Sequence, residues 1–450
     1  MKRKIYDRLV EWRHSEAPDA ALLIDGARRV GKSYIVKEFA QKEYRTYVMI
    51  DFAKAPGEVK KLFERYQDRL DTLFLKLSEY FGVRLYKRDT LFIFDEVQMC
   101  PKARESIKHL VADGRYDYIE TGSLVSIDEN VKDIVIPSEE IRVKMHPMDF
   151  EEFLWAKGDD MTMDFIRDHF ARREPLGQLL HRKAMDAFRE YMTVGGMPQA
   201  VAEFAKSADL SKVDSVKRRI LKLYREDIRK HAGKYALKTE RIFDSLAAQL
   251  SRHEKKFRLS SLGVNARMRE YEDAFLWLKE AMVTNVCYRS TDPNIGLGIN
   301  ADDSTLKCYA ADTGLLISLA FSERQVIAEQ IHKRLLFDSL ELNKGMLVEN
   351  VVAQMLATSG YELYFFSTSS ESDRSERMEI DFLIPVASIS RSHNIRPVEV
   401  KSSKRYDHTS LDKFMSKYRR NLSHPIVLHT KDVAEKDGIT YLPLYMAPLL

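Results

Sequence analysis

Residues 26–33, with the sequence GARRVGKS, have the types and the spacing of a loop that binds phosphate. Glycines at the first and sixth positions let backbone N–H groups approach phosphate oxygens, because no side chain stands between them. Lys32 brings a charge to the terminal phosphates of a nucleotide, and the hydroxyl of Ser33 is a ligand for Mg²⁺. The pattern therefore predicts a site for ATP and Mg²⁺. The predicted cofactor-binding residues are Gly26, Ala27, Arg28, Arg29, Val30, Gly31, Lys32 and Ser33.

The segments on either side of this loop fit the same prediction. Residues 21–25 (ALLID) are apolar enough to form a buried strand, and the residues from Ser33 to Lys42 have helical periodicity. A helix that starts after the loop directs unpaired N–H groups and the positive end of its dipole at an anion. The alternative is a chance match in a glycine-containing turn, which the position between strand and helix disfavours.

A second acidic segment, LFIFDEVQ at residues 91–98, complements the loop. Asp95 and Glu96 end an apolar strand, where a carboxylate facing Ser33 is expected to hold the metal. We expect Asp95 to bind Mg²⁺ and Glu96 to polarise the attacking water. The alternative interpretation is an ordinary acidic pair at the start of a helix.

The order of elements around these residues indicates the fold class. Five strands are expected, within 21–25, 46–51, 90–96, 116–122 and 141–147, with helices between them. Strands that alternate with helices at this spacing form a doubly wound α/β domain. The pattern is mostly helical from Asp149 to residue 290, and a second α/β unit starts at Gly345.

Composition limits the class of protein without identifying it. The chain has 450 residues, enough for several domains, and a net charge of +4 that says little about partners. Its three cysteines are far apart and form no CxxC pair, which excludes a disulfide scaffold and a cysteine-rich zinc site. The N-terminus has no apolar signal segment, and no stretch approaches the length of a membrane span. We expect a cytoplasmic protein without membrane contact.

Motifs along almost the whole chain resemble those of AAA-type P-loop ATPases from bacteria and archaea whose C-terminal domain has a nuclease-like fold. The resemblance depends on the order of the motifs rather than on any single one of them. They are DGARRVGKS, FIFDEVQ, YIETGSLVS, MHPMDFEEFL, VGGMPQAV, LYREDIRK, YAADTGLL, GMLVEN and MEIDF followed by VEVKSS. The resemblance implies ATP binding and hydrolysis.

The same resemblance implies further catalytic residues beside Lys32 and Glu96. Thr121 or Ser123, at the polar end of the fourth strand, would lie near the γ-phosphate. Arg142 corresponds to an arginine that stabilises charge, although the usual glycine before it is replaced by Ile141.

We expect four regions. Residues 1–150 form a P-loop NTPase core with a parallel sheet, and residues 151–210 form a helical lid. Residues 211–335 form a helical, winged-helix-like middle region, and residues 336–450 form a nuclease-like α/β domain.

The last of these regions has acidic residues at informative spacing. Glu349 lies on a predicted helix, Asp381 on a strand, and Glu399 and Lys401 on the next strand. This order resembles the PD-(D/E)xK arrangement of nucleases, and the period of a strand places Glu399 and Lys401 on one face. Asp381 and Glu399 are therefore predicted metal ligands. The alternative is alternating charge on an α/β edge, with the nuclease shape kept and its activity lost.

Basic residues give weak support for a nucleic-acid partner. Between positions 401 and 420 we count seven basic residues against two acidic ones. The basic residues are Lys401, Lys404, Arg405, Lys413, Lys417, Arg419 and Arg420. Such a strip could follow the phosphates of double-stranded DNA, but a solvated helix face explains it equally well.

The main hypothesis is an ATPase that couples ATP hydrolysis to its nuclease-like, DNA-binding C-terminal domain. An alternative is a slow nucleotide-dependent switch that recruits a protein partner or a second copy of the chain and has no nuclease activity. A small-molecule kinase is the third candidate and explains the C-terminal regions least well.

Overall fold

The computed structural model describes residues 1–123, 136–252, 254–264, 266–294, 296–321, 344–368, 377–386, 394–403 and 406–450. The chain divides into two compact units. The first unit comprises Met1–Pro147 and Glu280–Met282, and the second comprises Met148–Lys279 and Val283–Leu450. Among the described residues, no helix is both long enough and apolar enough to cross a membrane.

The first unit contains a five-stranded sheet in which all neighbouring strands are parallel. Its strands are β1 (Ala21–Asp25), β2 (Thr46–Asp51), β3 (Thr90–Asp95), β4 (Asp117–Gly122) and β5 (Glu140–Lys144). Their order in the sheet is β2-β3-β4-β1-β5. The prediction of a parallel α/β fold for the N-terminal region is therefore confirmed. Because β4 lies between β1 and β3, the carboxyl ends of these three strands are adjacent.

Six described helices accompany this sheet. They are α1 (Ile5–Ser15), α2 (Lys32–Glu43), α3 (Gly57–Arg65), α4 (Leu70–Phe81), α5 (Pro101–Glu105) and α6 (Ile107–Asp113). Between β3 and β4 the chain forms two helices, α5 and α6, which are separated at Ser106. The hydroxyl of Ser106 donates to the carbonyl of Lys102 at 2.7 Å, a local bond that competes with helical hydrogen bonding.

An aromatic cluster packs α3 against the sheet where β3 ends. The rings of Phe52, Phe63 and Phe94 meet edge to face, with centroids 5.4–5.7 Å apart. Each such pair contributes about 0.5–1.5 kcal/mol beyond the burial of its area. Phe94 immediately precedes Asp95, so this packing fixes the backbone that carries the acidic residue.

The second unit begins with helices and ends with a mixed sheet. Its described helices are α7 (Phe150–Ala156), α8 (Thr162–Arg172), α9 (Gln178–Val194), α10 (Pro198–Ser207), α11 (Leu210–His231), α12 (Ala236–Leu250), α13 (Glu272–Glu280), α14 (Thr313–Ala320), α15 (Lys344–Thr358) and α16 (Thr409–Lys417). The last residue of α13, Glu280, is counted with the first unit. Its strands are β6 (Thr284–Ser290), β7 (Ala301–Ala310), β8 (Leu363–Thr368), β9 (Met378–Pro385), β10 (Ile395–Val400), β11 (Ile426–His429), β12 (Ala434–Lys436) and β13 (Ile439–Pro443).

These eight strands form one sheet in the order β12-β13-β11-β10-β9-β8-β6-β7. Strand β6 pairs with β7 in the antiparallel sense and with β8 in the parallel sense. The predicted winged-helix-like region thus contributes β6 and β7 to the sheet of the C-terminal region. The predicted division at residues 335 and 336 falls inside the sequence that builds this sheet.

Two motifs that are distant in sequence meet in the second unit. The carboxylate of Asp312 accepts hydrogen bonds from the N–H of Gly196 at 2.6 Å and from the N–H of Leu315 at 2.8 Å. A Cβ atom at Gly314 would overlap the carbonyl oxygen of Val194. The VGG turn after α9 and the start of α14 are therefore in direct backbone contact, which explains why both contain glycine.

Candidate nucleotide-binding site

The predicted phosphate loop lies between β1 and α2, at the carboxyl end of the parallel sheet. Gly31 has a φ of 99°, a left-handed conformation that favours glycine. A Cβ atom at Gly26 would overlap the carbonyl oxygen of Met145. Both glycines are thus required by the backbone path, and α2 begins directly after the second one.

The remaining loop positions differ in exposure. Ala27 and Val30 are buried, whereas Arg28 and Arg29 are exposed. The guanidinium of Arg3 donates to the carbonyls of Val30 at 2.9 Å and His146 at 2.7 Å. Arg3 therefore ties the loop to the segment after β5. Sequence analysis missed this residue, since nothing in the sequence links position 3 to position 30.

Lys32 is buried and lies against the loop itself. Its ammonium donates to the carbonyls of Gly26 at 2.8 Å and Ala27 at 3.1 Å. Burial lowers the pKa of Lys32, and the nearby carboxylates, of which Glu96 has the largest effect, oppose that change. The site thus holds a partly desolvated cation beside acidic groups at the start of α2.

Asp95 is the residue on which the site converges. Its Oδ1 atom accepts a hydrogen bond from the hydroxyl of Ser33 at 2.7 Å and another from the hydroxyl of Thr121. These residues come from the start of α2, the end of β3 and the end of β4. Adjacency of β3 and β4 in the sheet, with β1 next to β4, brings them together. A hydroxyl and a carboxylate in contact are a suitable donor set for Mg²⁺.

Glu96 follows Asp95 in a left-handed conformation, with a φ of 52°. This conformation is uncommon for a residue with a side chain, and such strain is concentrated at functional sites. The amide of Gln98 donates to Oε2 of Glu96 at 2.5 Å. Gln98 is buried and therefore fixes the direction of the Glu96 carboxylate. Sequence analysis gave Gln98 no role, although it lies inside the motif that includes Asp95.

The other two catalytic residues implied by the resemblance are Arg142, which lies on β5, and Ser123, which follows β4. Arg142 lies at the third position of β5, and its Nε atom donates to Glu140 at 3.0 Å. Glu140 pairs with Ala21 at the amino end of β1, whereas Lys144 pairs with Asp25 at the carboxyl end. The ion pair therefore directs Arg142 away from the end of the sheet that carries the loop. Ser123 follows β4 and is half-buried, one residue beyond Gly122.

The C-terminal acidic residues are engaged by protein groups. Asp381 on β9 accepts from the backbone N–H of Val400 at 2.9 Å. The Nζ atom of Lys401 lies 2.5 Å from Oε2 of Glu399. Glu349 on α15 is buried and lies beside Lys307 and Lys255. Within the part of the chain that the structure describes, no group of three or more His, Cys, Asp or Glu side chains is placed to hold a metal ion. Asp381 and Glu399 adjoin the paired residues Phe382 and Val398 on neighbouring antiparallel strands, and their role as metal ligands stays a prediction.

The basic strip is partly described. Lys417, Arg419 and Arg420 are exposed at the end of α16 and just after it. Lys404 and Arg405 lie outside the described residues. The described part of the strip thus exposes three cations to solvent, and contact with DNA stays a prediction.

Comparison with known families finds similarity in three regions of the chain. Residues 18–154 match the family described as AAA domain. Residues 185–325 match a domain of unknown function, DUF8612, and residues 344–446 match another, DUF4143. No curated protein matches the sequence. The first match shows that residues 18–154, which contain the loop described above, are similar to AAA domains.

Solved structures that match this chain include three proteins at 12–16% sequence identity. The Walker-type ATPase PAby2304 of Pyrococcus abyssi is 16% identical, with 71% of this chain and 95% of that chain covered and a TM-score of 0.40. The Aeropyrum pernix ORC2 protein, solved as ADPNP-ADP complexes, is 12% identical, with coverages of 74% and 92% and a TM-score of 0.33. Drosophila ORC bound to DNA is 14% identical, with coverages of 71% and 95% and a TM-score of 0.28.

Proposed function

We propose that the N-terminal domain hydrolyses ATP in a Mg²⁺-dependent reaction at the loop of residues 26–33. The observation that carries the proposal is the hydrogen-bonded group formed by Ser33, Asp95 and Thr121 beside this loop. The match of residues 18–154 to an AAA domain supports the same conclusion.

The loop and Lys32 account for binding of the triphosphate. Backbone N–H groups of the loop and of the first turn of α2 point toward an anion at the helix N-terminus. The ammonium of Lys32 exchanges its neutral carbonyl acceptors for charged phosphate oxygens. Charge-assisted hydrogen bonds are roughly twice as strong as neutral ones, so this exchange favours the bound state.

Ser33 and Asp95 are the residues that would hold Mg²⁺. When bound there, the ion neutralises charge that develops on the β- and γ-phosphate oxygens. Thr121 fixes the rotamer of Asp95 through its own hydrogen bond, so the carboxylate is oriented in advance. Ser123 is the alternative polar residue at the end of β4.

Glu96 is the residue proposed to act on water. Its carboxylate orients a water molecule and accepts a proton as the oxygen attacks the γ-phosphorus, and the bond to the β-phosphate oxygen breaks. Positioned acid–base groups contribute roughly 10²–10⁴-fold to such rates. Gln98 is a positioning residue, because it acts on Glu96 alone. Arg142 receives no role in this scheme, since Glu140 already neutralises it.

For the second unit, we propose a binding role coupled to the nucleotide state of the first unit. The exposed Lys417, Arg419 and Arg420 support contact with the phosphates of double-stranded DNA. The second candidate is a switch that recruits a protein partner or a second copy of the chain. The neutralised acidic residues of the C-terminal sheet favour binding without cleavage under both candidates.

The deciding experiment is steady-state ATP turnover by the full chain, with and without double-stranded DNA. We expect Lys32→Ala to lose both ATP binding and turnover. Glu96→Gln should retain binding and lose at least about 100-fold in turnover, the lower bound for a lost general base. Unchanged hydrolysis in both variants would refute the proposal. Tight ATP binding with slow turnover that DNA leaves unaltered would select the switch.

A further inference from the structure

The ammonium of Lys307 lies within a group of buried carboxylates. Lys307 is on β7 and is fully buried. Its Nζ atom lies 2.8 Å from Oε1 of Glu379, 3.2 Å from Oε1 of Glu349 and 3.6 Å from Oδ1 of Asp381. The carboxylates come from α15 and β9, so three separate elements supply this one cluster. We call these four residues the Lys307 cluster.

Carboxylates at this spacing repel one another unless a cation lies between them. A divalent metal is one solution and a buried lysine is another. Burial by itself lowers the pKa of Lys307, but the surrounding carboxylates raise it well above its ordinary value. The side chain is therefore a permanent cation at neutral pH, and it occupies the centre of the group.

A second lysine, Lys255, also neutralises carboxylate charge in this cluster. Lys255 forms an ion pair with Oε2 of Glu349, and the hydroxyl of Tyr309 donates to Oε1 of the same carboxylate at 2.5 Å. The pKa of Glu349 falls to about 2 despite its burial, because of the charges of the two lysines. Both oxygens of Glu349 are thus already occupied by protein donors.

Asp381 in the Lys307 cluster and Glu399 on the neighbouring strand also have protein partners. Oδ2 of Asp381 accepts from the N–H of Val400, and Glu399 is paired with Lys401. Val398 pairs with Phe382 in the antiparallel β9–β10 pair, so Glu399 and Asp381 are the next residues on neighbouring strands. Lys401, which is predicted to share one strand face with Glu399, is thus paired with that acid.

Lysine side chains offset most of the negative charge of the cluster without a metal. Lys255 and Lys307 are positive, and Glu349 and Glu379 are negative. Asp381 is the third carboxylate, and it lies 3.6 Å from the ammonium of Lys307. The two lysines thus offset two of the three carboxylate charges, which leaves less negative charge than a metal site offers to a dication.

We propose that Lys307 is a built-in cation that replaces a divalent metal at this acidic cluster, so that the C-terminal α/β fold binds without cutting phosphodiester bonds. This proposal is independent of ATP hydrolysis in the first unit. It assigns to Lys307 the charge-neutralising role that the sequence pattern predicted for a metal at Asp381 and Glu399.

The test is Mn²⁺ uptake by the full chain without nucleotide, measured by electron paramagnetic resonance for wild type and Lys307→Met. Methionine keeps the length of the side chain and removes its charge. We expect the variant to bind Mn²⁺ that wild type does not bind, and the double variant Lys307→Met/Asp381→Asn to lose that gain. Lys217→Met is the matched control. Lys217 is also fully buried, but it donates to the carbonyl of Thr193 outside the cluster.

Two results would overturn the proposal. One is a folded Lys307→Met variant, shown by circular dichroism, that binds no more Mn²⁺ than wild type. The other is wild-type Mn²⁺ uptake, or Mg²⁺-dependent cleavage of plasmid DNA, that Asp381→Asn abolishes. The comparison of wild type with Asp381→Asn still tests the proposal if Lys307→Met does not fold. The absence of any Mn²⁺ uptake or DNA cleavage by wild type that depends on Asp381 supports the proposal.

Discussion

The side-chain amide of Gln98 donates a hydrogen bond of 2.5 Å to the carboxylate of Glu96, two residues earlier in the chain. Gln98 is buried, whereas Glu96 is half-buried with a left-handed backbone. The buried amide thus orients the more accessible acid at the carboxyl end of β3. If Glu96 acts on water, its orientation is part of the catalytic geometry.

We therefore expect Gln98→Ala to lower ATP turnover by about tenfold while ATP affinity stays unchanged, because only the positioning of Glu96 is lost. Turnover and nucleotide binding are measured on the same preparations. Gln41→Ala is the control, since Gln41 is exposed on α2. A Gln98→Ala variant with wild-type turnover would show that Glu96 needs no such support.

Gly26→Ala is expected to weaken ATP binding by at least about tenfold, because the added Cβ overlaps the carbonyl oxygen of Met145 and the loop must move. Titration calorimetry with ATP measures the change. Gly57→Ala is a matched control, because a Cβ atom at Gly57 meets nothing within 4 Å. Equal affinities for the two variants would contradict the close backbone approach described for the loop.

Gly314→Ala is expected to destabilise the second unit by about 1–3 kcal/mol, the usual cost of overpacking, since the Cβ atom would overlap the carbonyl oxygen of Val194. Thermal unfolding followed by circular dichroism measures the loss. Gly263→Ala serves for comparison, because its nearest neighbour is the Cβ atom of Ala266 at 3.9 Å. A melting temperature equal to that of wild type would show that the two motifs are not tightly packed.

Stability should depend on pH through Glu399, which is 2% exposed. Burial raises the pKa of Glu399 from 4.5 to about 7, with Lys401 opposing the change. Between these values the folded chain holds a proton that the unfolded chain releases, so stability falls as the pH rises from 4.5 to 7. Glu399→Gln should therefore be more stable than wild type at pH 8, by up to about 3 kcal/mol, and similar to it near pH 4.5.

Melting temperatures of both proteins across this pH range test the Glu399 prediction. Glu254→Gln is the control, because Glu254 is exposed in the same unit. A difference between wild type and Glu399→Gln that stays constant from pH 5 to pH 8 would exclude the predicted titration.

The proposed DNA contact predicts a specific salt dependence. Changing Lys417, Arg419 and Arg420 together to alanine should weaken binding of double-stranded DNA. The slope of log K against log salt concentration should fall by about 3, roughly 0.9 for each lost phosphate contact. Fluorescence anisotropy at several salt concentrations provides the binding constant and this slope.

A control variant has alanine at Lys212, Lys222 and Lys230, which are exposed on α11, and therefore has the same change in net charge elsewhere. Equal effects of the two triple variants would argue against a defined DNA site.

The sequence by itself determined the phosphate loop, the acidic end of β3 and the parallel α/β fold of the N-terminal region. The loop can be recognised from the sequence because its chemistry is local. Successive backbone amides, two glycines and Lys32 act together within eight positions. The apolar runs of β1 and β3 indicate a sheet covered on both faces for a similar reason, since burial is reflected in each residue type.

Tertiary structure alone decided which side chains meet. Thr121 reaches Asp95 because β4 lies next to β3, a strand order that no local pattern encodes. Lys307 lies beside Glu349 and Asp381, which are 42 and 74 positions away in sequence, because of the packing of α15 and the strand order of one sheet. Residue types show that a charge is present, but its partner depends on the path of the chain. A lysine in a strand can lie in solvent or replace a metal, and only the assembled fold distinguishes the two.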